Sequence, residues 1–529
     1  MKLYFYGADR CVTGSCHMLE ACGKKILIDC GLQQGQDEVD NASLPFHPGE
    51  ADFCLVTHAH IDHTGRLPLL LKQGFAGAFI TTRVTAELMD IMLADSAHIQ
   101  ESDAEYQNRK GERAGRGHVE PLYTIEDAAK VLQKTRKVEY GERVQLAEGI
   151  SAVFSDAGHL LGSSSITLTV TENGETRRIL FSGDLGNTDQ PIIRDPQPLE
   201  TADFVVMEST YGNRNHEKPK SYTADLAQVI DRTIARGGNV VIPAFAVGRT
   251  QEILYFIREI KEQGLAPRAG DFPVYIDSPL AQRSTGIFAG DLRGYLDEEA
   301  LEVVKAGEDM FRFNSLKMTV SSEESKALNM DMTPKVIISA SGMCDAGRIR
   351  HHLKHNLWRE NSTIVFVGYQ SPSSLGRRLL DGAESVRLFG ETIAVKAEVV
   401  NFQGLSSHAD HDHLLAWLKN ISPKPKQVFV VHGDADVAPA FAEELEGLGY
   451  NAHAPLYTEC YDLLAEQVAR EGIVREKPQR RSPADAAYEK LLEVGKRIAA
   501  AIVAAKGRDN KTLNNFARRL EDILQWLND

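Results

Sequence analysis

Residues 58–63 read His-Ala-His-Ile-Asp-His, which puts three imidazoles and a carboxylate within six positions. They follow the apolar run Phe53–Val56, which reads as a strand, and precede a stretch with helical character. A fold that buried such a cluster without a cation would leave several polar groups unpaired. His58 and His60 can point to one side as the chain turns, while Asp62 and His63 open the next helix and face back. Donors converging from two directions form a metal site. Imidazole with carboxylate suits zinc, with manganese or iron as alternatives.

Three more candidates lie far along the chain in the same local setting. His159 sits in SDAGHLLGS, Asp184 in ILFSGDLG and His432 in VFVVHGD. Each follows an apolar strand within a glycine-containing turn, where small neighbours let the backbone approach a crowded site. One metal with an open position needs three protein ligands. Seven candidate ligands fit two metals that share a water.

Residues 3–30 and 136–185 show short strands broken by turns, and the strand near 201–210 ends on an acid. A helix is expected from Val84 to His98, an exposed polar loop over 100–118, and a helix over 124–134. From about 220 to 380, longer helical runs alternate with the apolar strands NVVIPAF, PVYIDS, KVIISAS and STIVFVG. That is the alternation of a mostly parallel sheet. Short strands return after 385. A linker, EKPQRRSP, then leads to two runs with helical spacing separated by Gly507 and Asn510, a helical hairpin. Its expected role is packing or a homodimer contact. A nucleic-acid contact through Arg518 and Arg519 is disfavoured because the segment is only slightly basic.

A net charge of 59 minus 74, or -15, argues against non-specific coating of a duplex. It leaves room for a local basic cleft, to which bound divalent metals would add positive charge. The seven cysteines are scattered and odd in number, which suggests reduced thiols. No stretch approaches the ~18 consecutive apolar residues of a membrane span. The N-terminus lacks the apolar core of a signal peptide, so a cytoplasmic location and no membrane partner are expected.

THAHIDHTG, the SGD at 182–184, the isolated His159 and the late His432 resemble the metallo-β-lactamase superfamily. The opening GADRCVTGSCHMLEACGKKILIDCGLQQG is similar to its nucleic-acid-processing branch, the β-CASP nucleases. MESTYG with Glu208, SSHAD with His408, and GMCDAGRIRHHLKHNLWRENSTIVFVGYQ resemble the same branch. The resemblance spans roughly residues 1–460. It implies an α/β fold: an αββα sandwich with an inserted α/β domain. The sandwich would take 1–210 and 386–465, the insertion 211–385, and the helical extension 480–529. By resemblance, His58, His60 and His159 hold one Zn2+, Asp62, His63 and His432 the other, and Asp184 bridges them. Asp29 resembles an acid that orients a ligand from behind, and a plain strand-end turn residue is the other reading of it.

The implied catalytic set is Asp62, Asp184, Glu208 and His408. Two cations sharing a water would activate it for attack on phosphorus. His408 would give a proton to the departing oxygen, and Glu208 would keep that imidazole charged and aimed. The inserted domain offers four Gly/Ser-rich strand ends for the phosphate backbone, with Arg249, Ser278, Ser341, Arg348, Ser374 and Arg377 as candidate contacts. An ordinary turn between strand and helix is the competing reading of each. GYQSPSSLGR departs from the family's pattern: Ser374 keeps a hydroxyl where a threonine is usual, a proline stiffens the turn and an acid is missing.

The leading expectation is a zinc-dependent endoribonuclease acting on single-stranded RNA. Exonuclease action from the 5′ end and action on DNA stay open. A small-molecule metallohydrolase is disfavoured by the long insertion, which suits a chain-sized groove. A non-catalytic RNA-processing scaffold is disfavoured because none of the seven ligands is lost.

Overall fold

The computed structural model describes residues 1–475 apart from 36–37, 113–116, 218–220, 372–373 and 403, and residues 491–528 apart from 493, 496, 500, 503 and 504. Two compact units divide the chain, Met1–Arg475 and Glu476–Asp529.

Among the described residues the first unit contains an eight-stranded and a seven-stranded sheet packed face to face. Alternation along the strands aims Leu3, Phe5, Phe154, Ile166, Phe181, Phe204 and Phe429 into the layer between them, all at most 2% exposed. Helices Leu67–Lys72, Arg83–Glu112 and Ile125–Gln133 cover one outer face. His411–Lys419 and Val437–Gly447 cover the other. This is the expected αββα sandwich.

The direction of the strands decides where chemistry can gather. Lys24–Ile28 and Phe53–Leu55 run parallel, with Ile28 opposite Leu55. Phe204–Glu208 runs parallel to Gln427–Val431, with Glu208 opposite Val431. Glu175–Phe181 runs the same way beside them. All these strands release their next residues at one edge, where the carboxyl ends of parallel strands leave a crevice.

The inserted domain is built on a six-stranded parallel sheet. Its order is Leu316–Met318, Val274–Ile276, Val336–Ser339, Val240–Pro243, Thr363–Phe366, Glu398–Asn401. All four apolar runs read from the sequence as parallel strands lie in it. The sheet extends past 385, because Glu398–Asn401 still pairs with Thr363–Phe366 before the chain returns to the sandwich. Short alternating segments there look alike in sequence whichever sheet they join.

A second difference concerns the polar segment after 98. The helix Arg83–Glu112 runs through most of the stretch expected as a loop. Its Glu, Gln, Asp and Arg residues are compatible with an exposed helix, and Ala104 turns into the core. The Asn108 amide then pins the returning chain by bonding both the N–H and the carbonyl of Val119.

Asp277, at the end of Val274–Ile276, is fully buried. Its Oδ1 accepts from Arg348 at 2.6 Å and Thr319 at 2.5 Å, and its Oδ2 from Ser325 at 2.5 Å with His352 Nε2 at 2.6 Å. Burial opposes the charged form, but these donors outweigh it and hold the carboxyl well below its usual range. The stabilisation is therefore present above the ordinary carboxylate range and lost on acidification below it. Asp277→Ala is expected to cost about 3–5 kcal/mol in urea unfolding, because it strands the other partners of a buried ion pair.

In the second unit, Asn510–Asn528 forms a 19-residue helix, and Gly507 precedes it at a φ of 95°. The linker EKPQRRSP and the start of the first tail helix lie outside the described residues.

Candidate metal centre

The cluster at 58–63 folds as its spacing predicts. After Phe53–Leu55 the chain turns, and Ile61–Thr64 makes one helical turn with His60 at its N-cap. The neighbouring strand end presses closely on this turn. A Cβ on Gly31 would lie 1.5 Å from the Asp62 carbonyl oxygen, so only glycine fits there. Asp29 and His432 both hold left-handed backbone, at φ 60° and 50°, a conformation uncommon outside glycine and tolerated best by Asn, Asp and His.

The seven candidate ligands converge. The donor atoms of His58, His60, His159 and Asp184 lie within 4.8 Å of one another, as do those of Asp62, His63, Asp184 and His432. Asp184 belongs to both groups through different oxygens. Its Oδ2 lies 3.5 Å from His58 Nε2 and 3.7 Å from His159 Nε2. Its Oδ1 lies 3.2 Å from His63 Nε2 and 3.6 Å from His432 Nε2. His432 Nε2 is also 3.5 Å from Asp62 Oδ2.

The outward-facing ring nitrogens are held from behind. His63 Nδ1 lies 2.7 Å from Asp29 Oδ2. His159 Nδ1 donates to the Ser407 carbonyl at 3.0 Å, and His432 Nδ1 meets the Thr210 hydroxyl at 3.1 Å. Thr57 joins the Asp29 carboxylate to His58. These contacts turn the inner nitrogens toward the shared centre. Ring nitrogens crowd together there: His60 Nδ1 is 3.1 Å from both His58 Nε2 and His159 Nε2. Buried Asp184 Oδ1 has no hydrogen-bond donor. The donor set fits a pair of cations.

Electrostatics point the same way. Burial pushes His58 and His159 well below the usual histidine range, so they stay neutral and able to coordinate. Burial works against charge on Asp184 too, yet the nearby His432 and His63 imidazoles, both pushed up, outweigh it and hold the carboxyl well below its usual range. His17, buried between the sheets beside this cluster, is pushed down to about 3 by burial and stays neutral.

Glu208 and His408 adjoin Asp184, again within 4.8 Å. Glu208 is fully buried and accepts from the Leu185 N–H at 2.6 Å. Its Oε1 lies 3.1 Å from His408 Nδ1. Burial disfavours charge on His408, but the Glu208 charge and hydrogen bond dominate and raise it to about 9. His408 reaches the site because the strand Glu398–Asn401 ends nearby and residue 408 bridges to Gly186.

The six candidate phosphate contacts fare differently. Their loops do sit together at the carboxyl edge of the inserted sheet, and a Cβ on Gly248 would lie 3.1 Å from Leu160, next to His159. But Ser278 and Ser374 cap the helices Pro279–Phe288 and Leu375–Leu380. Arg249 is buried against Glu252, and Arg348 is tied to Asp277. Ser341 stands within its own turn, near the Ala346 backbone. Arg377 is exposed and pairs with Asp381 at 2.8 Å. Pro372, the residue expected to stiffen this turn, lies outside the described residues.

Sequence reasoning missed Thr57, Thr210, Tyr211 and Tyr369. Thr57 heads the THAHIDH motif and could have been found there. The Tyr211 ring lies tilted to His408 at 6.3 Å and under Arg214 at 4.7 Å, and Tyr369 is 47% exposed. Only the fold brings these rings to the same edge.

Family models match this chain in order: the metallo-beta-lactamase superfamily over residues 9–231, the Beta-Casp domain over 250–379, and the Zn-dependent metallo-hydrolase RNA specificity domain over 392–455. Ribonuclease TTHA0252 of Thermus thermophilus is 38% identical over 437 residues, covering 82% of this chain and 94% of the relative. Transcription termination factor FttA of Methanosarcina mazei is 32% identical, covering 81% of this chain and 66% of the relative. The RNase J-like protein of Methanocaldococcus jannaschii is 29% identical, covering 83% and 94%. A crystal structure of a protein of unknown function from Enterococcus faecalis shares the fold at a TM-score of 0.50 and 13% identity, over 87% of this chain and 99% of that one.

Proposed function

Because this chain belongs to the metallo-β-lactamase superfamily, in its β-CASP branch, we propose that it is a zinc-dependent ribonuclease cutting within single-stranded RNA. The observation that carries the reading is Asp184, with one oxygen toward each histidine group and the His408–Glu208 pair beside it. The imidazole-rich donors favour zinc; His58, His60 and His159 would hold one ion and Asp62, His63 and His432 the other. When bound, such a pair acidifies a shared water and neutralises charge building on the phosphate.

The chain's own residues supply the rest. Asp29 orients His63. His408 keeps its proton near neutral pH and delivers it to the departing oxygen. Glu208 fixes the ring through Nδ1, which leaves Nε2 to face the substrate. RNA as substrate is supported by the ribonuclease among the relatives and by the approach of the inserted domain's Gly248 turn to Leu160, next to His159. Among the described residues no helix is long and apolar enough to cross a membrane.

The test is incubation of metal-loaded protein with circular and 5′-labelled linear single-stranded RNA, and with DNA of the same sequence. Linearised circles are expected, with activity lost on chelation and restored by zinc. Mononucleotides released from linear strands alone would replace this reading with a 5′-exonuclease. Intact RNA in every arm would end it.

A further inference from the structure

The hairpin Ser385–Leu388 and Glu391–Ala394 has a two-residue turn, since Leu388 pairs with Glu391 across it. The turn residues are Phe389 at φ 50° and Gly390 at φ 84°. Two positive φ values define the turn type that asparagine or aspartate followed by glycine adopts most readily. A bulky aromatic there is strained, and burial does not repay it, because Phe389 is 46% exposed. Its ring stacks on His351 at 4.3 Å and 21°, with the Arg350 guanidinium 4.9 Å from its centroid.

The hairpin lies along the helix Ile349–Asn356. Its base bonds to the helix's far end, where Lys396 and Ala397 donate to the Leu357 carbonyl, and Glu391 pairs with Lys354 midway. Val386 and Leu388 bury themselves against the cluster holding Ile349 and Leu353. The tip therefore reaches the helix's first turn, which follows the Val336–Ser339 strand at the carboxyl edge of the inserted sheet. That edge also carries the loop leading to His408. Glu391 answers Lys354, but Arg350 and Arg387 make no ion pair among the described residues.

We propose that Phe389, backed by His351 and flanked by Arg350, is a base-stacking platform for the single-stranded RNA that extends beyond the catalytic cleft. A ring 46% exposed, next to an arginine that makes no ion pair among the described residues, suits a nucleobase and its phosphate, with little dependence on base identity. It gives an acidic protein a local grip on a polyanion on its inserted domain. The inference rests on the ribonuclease reading and adds a subsite to it.

The test compares Phe389→Asn and Phe389→Tyr with the parent, using oligoribonucleotides of roughly 20 and roughly 4 residues. Asparagine suits the turn, so Phe389→Asn should melt at or above the parent. Its KM for the long strand should rise by about five-fold to about a hundred-fold, the range of one lost stack, with kcat unchanged. KM for the short strand should not move, and Phe389→Tyr should behave as the parent. Unchanged KM for the long strand in folded Phe389→Asn would overturn the platform and leave the ribonuclease reading standing. So would equal losses on both strands. A parent that neither binds nor cuts RNA would remove the ribonuclease reading, and the platform with it.

Discussion

Asp184→Ala is expected to empty the centre of both ions and to lower phosphodiester hydrolysis by at least about a thousand-fold. The size follows from what the ions supply: bound metal lowers the pKa of water from 15.7 to about 7. Among the described residues Asp184 is the one side chain whose two oxygens face both histidine groups, at 3.5 Å from His58 and 3.2 Å from His63. Its loss also leaves several imidazoles without the carboxylate that offsets them. Elemental analysis should find the metal gone rather than halved. His60→Ala, which touches one group, should keep the metal of the Asp62, His63 and His432 group more firmly than that of its own. An Asp184→Ala protein that retained both ions would show that the carboxylate does not bridge them.

His408→Ala should separate chemistry from metal binding. Metal content should stay at the parent level, while kcat falls by about 10²–10⁴, the usual worth of a general acid. The pH profile refines this. His408 is raised to about 9, chiefly against burial and by Glu208, so it holds its proton at neutrality and loses it as the pH climbs through that range. Glu208→Gln keeps a hydrogen-bond acceptor but removes the charge. The alkaline limb of kcat/KM should then move toward lower pH by roughly one to three pH units. If His408→Ala also released metal, the imidazole would be a ligand, a role its proximity to Asp184 would allow.

The two halves of the site were not equally legible. The cluster at 58–63 could be read because a strand ending in one helical turn sets its geometry locally. His159, Asp184 and His432 could be named as donors by the same rule, each following a strand. The same kind of local reasoning offers Arg249 and Arg348 as phosphate contacts, and in the fold each meets a carboxylate of its own domain. Arg348 meets Asp277 across 71 residues of chain, and Glu252 takes Arg249 within its own helix. An arginine after a glycine-rich turn looks the same whether it meets a carboxylate inside the domain or a phosphate outside it.

The extent of the helix from Arg83 follows the same logic. Its polar half carries no apolar stripe to announce it, and the Asn108–Val119 contacts that support it come from outside the helix. The hairpin bearing Phe389 shows the reverse: its first turn residue conflicts with local preference, and only the helix beneath reveals what the ring stands against.

What the sequence by itself determined is the identity of the donors and the strand ends that carry them, because coordination chemistry and strand periodicity act over a few residues. What only the tertiary structure decided is how those ends are shared. Two sheets with parallel strands bring Asp29, His58, Asp184, Glu208 and His432 to one edge, and the inserted sheet returns His408 to it. The division of Asp184 between two histidine groups depends on distances of a few ångströms between segments as remote in sequence as His58, Asp184 and His432, and no local rule fixes those.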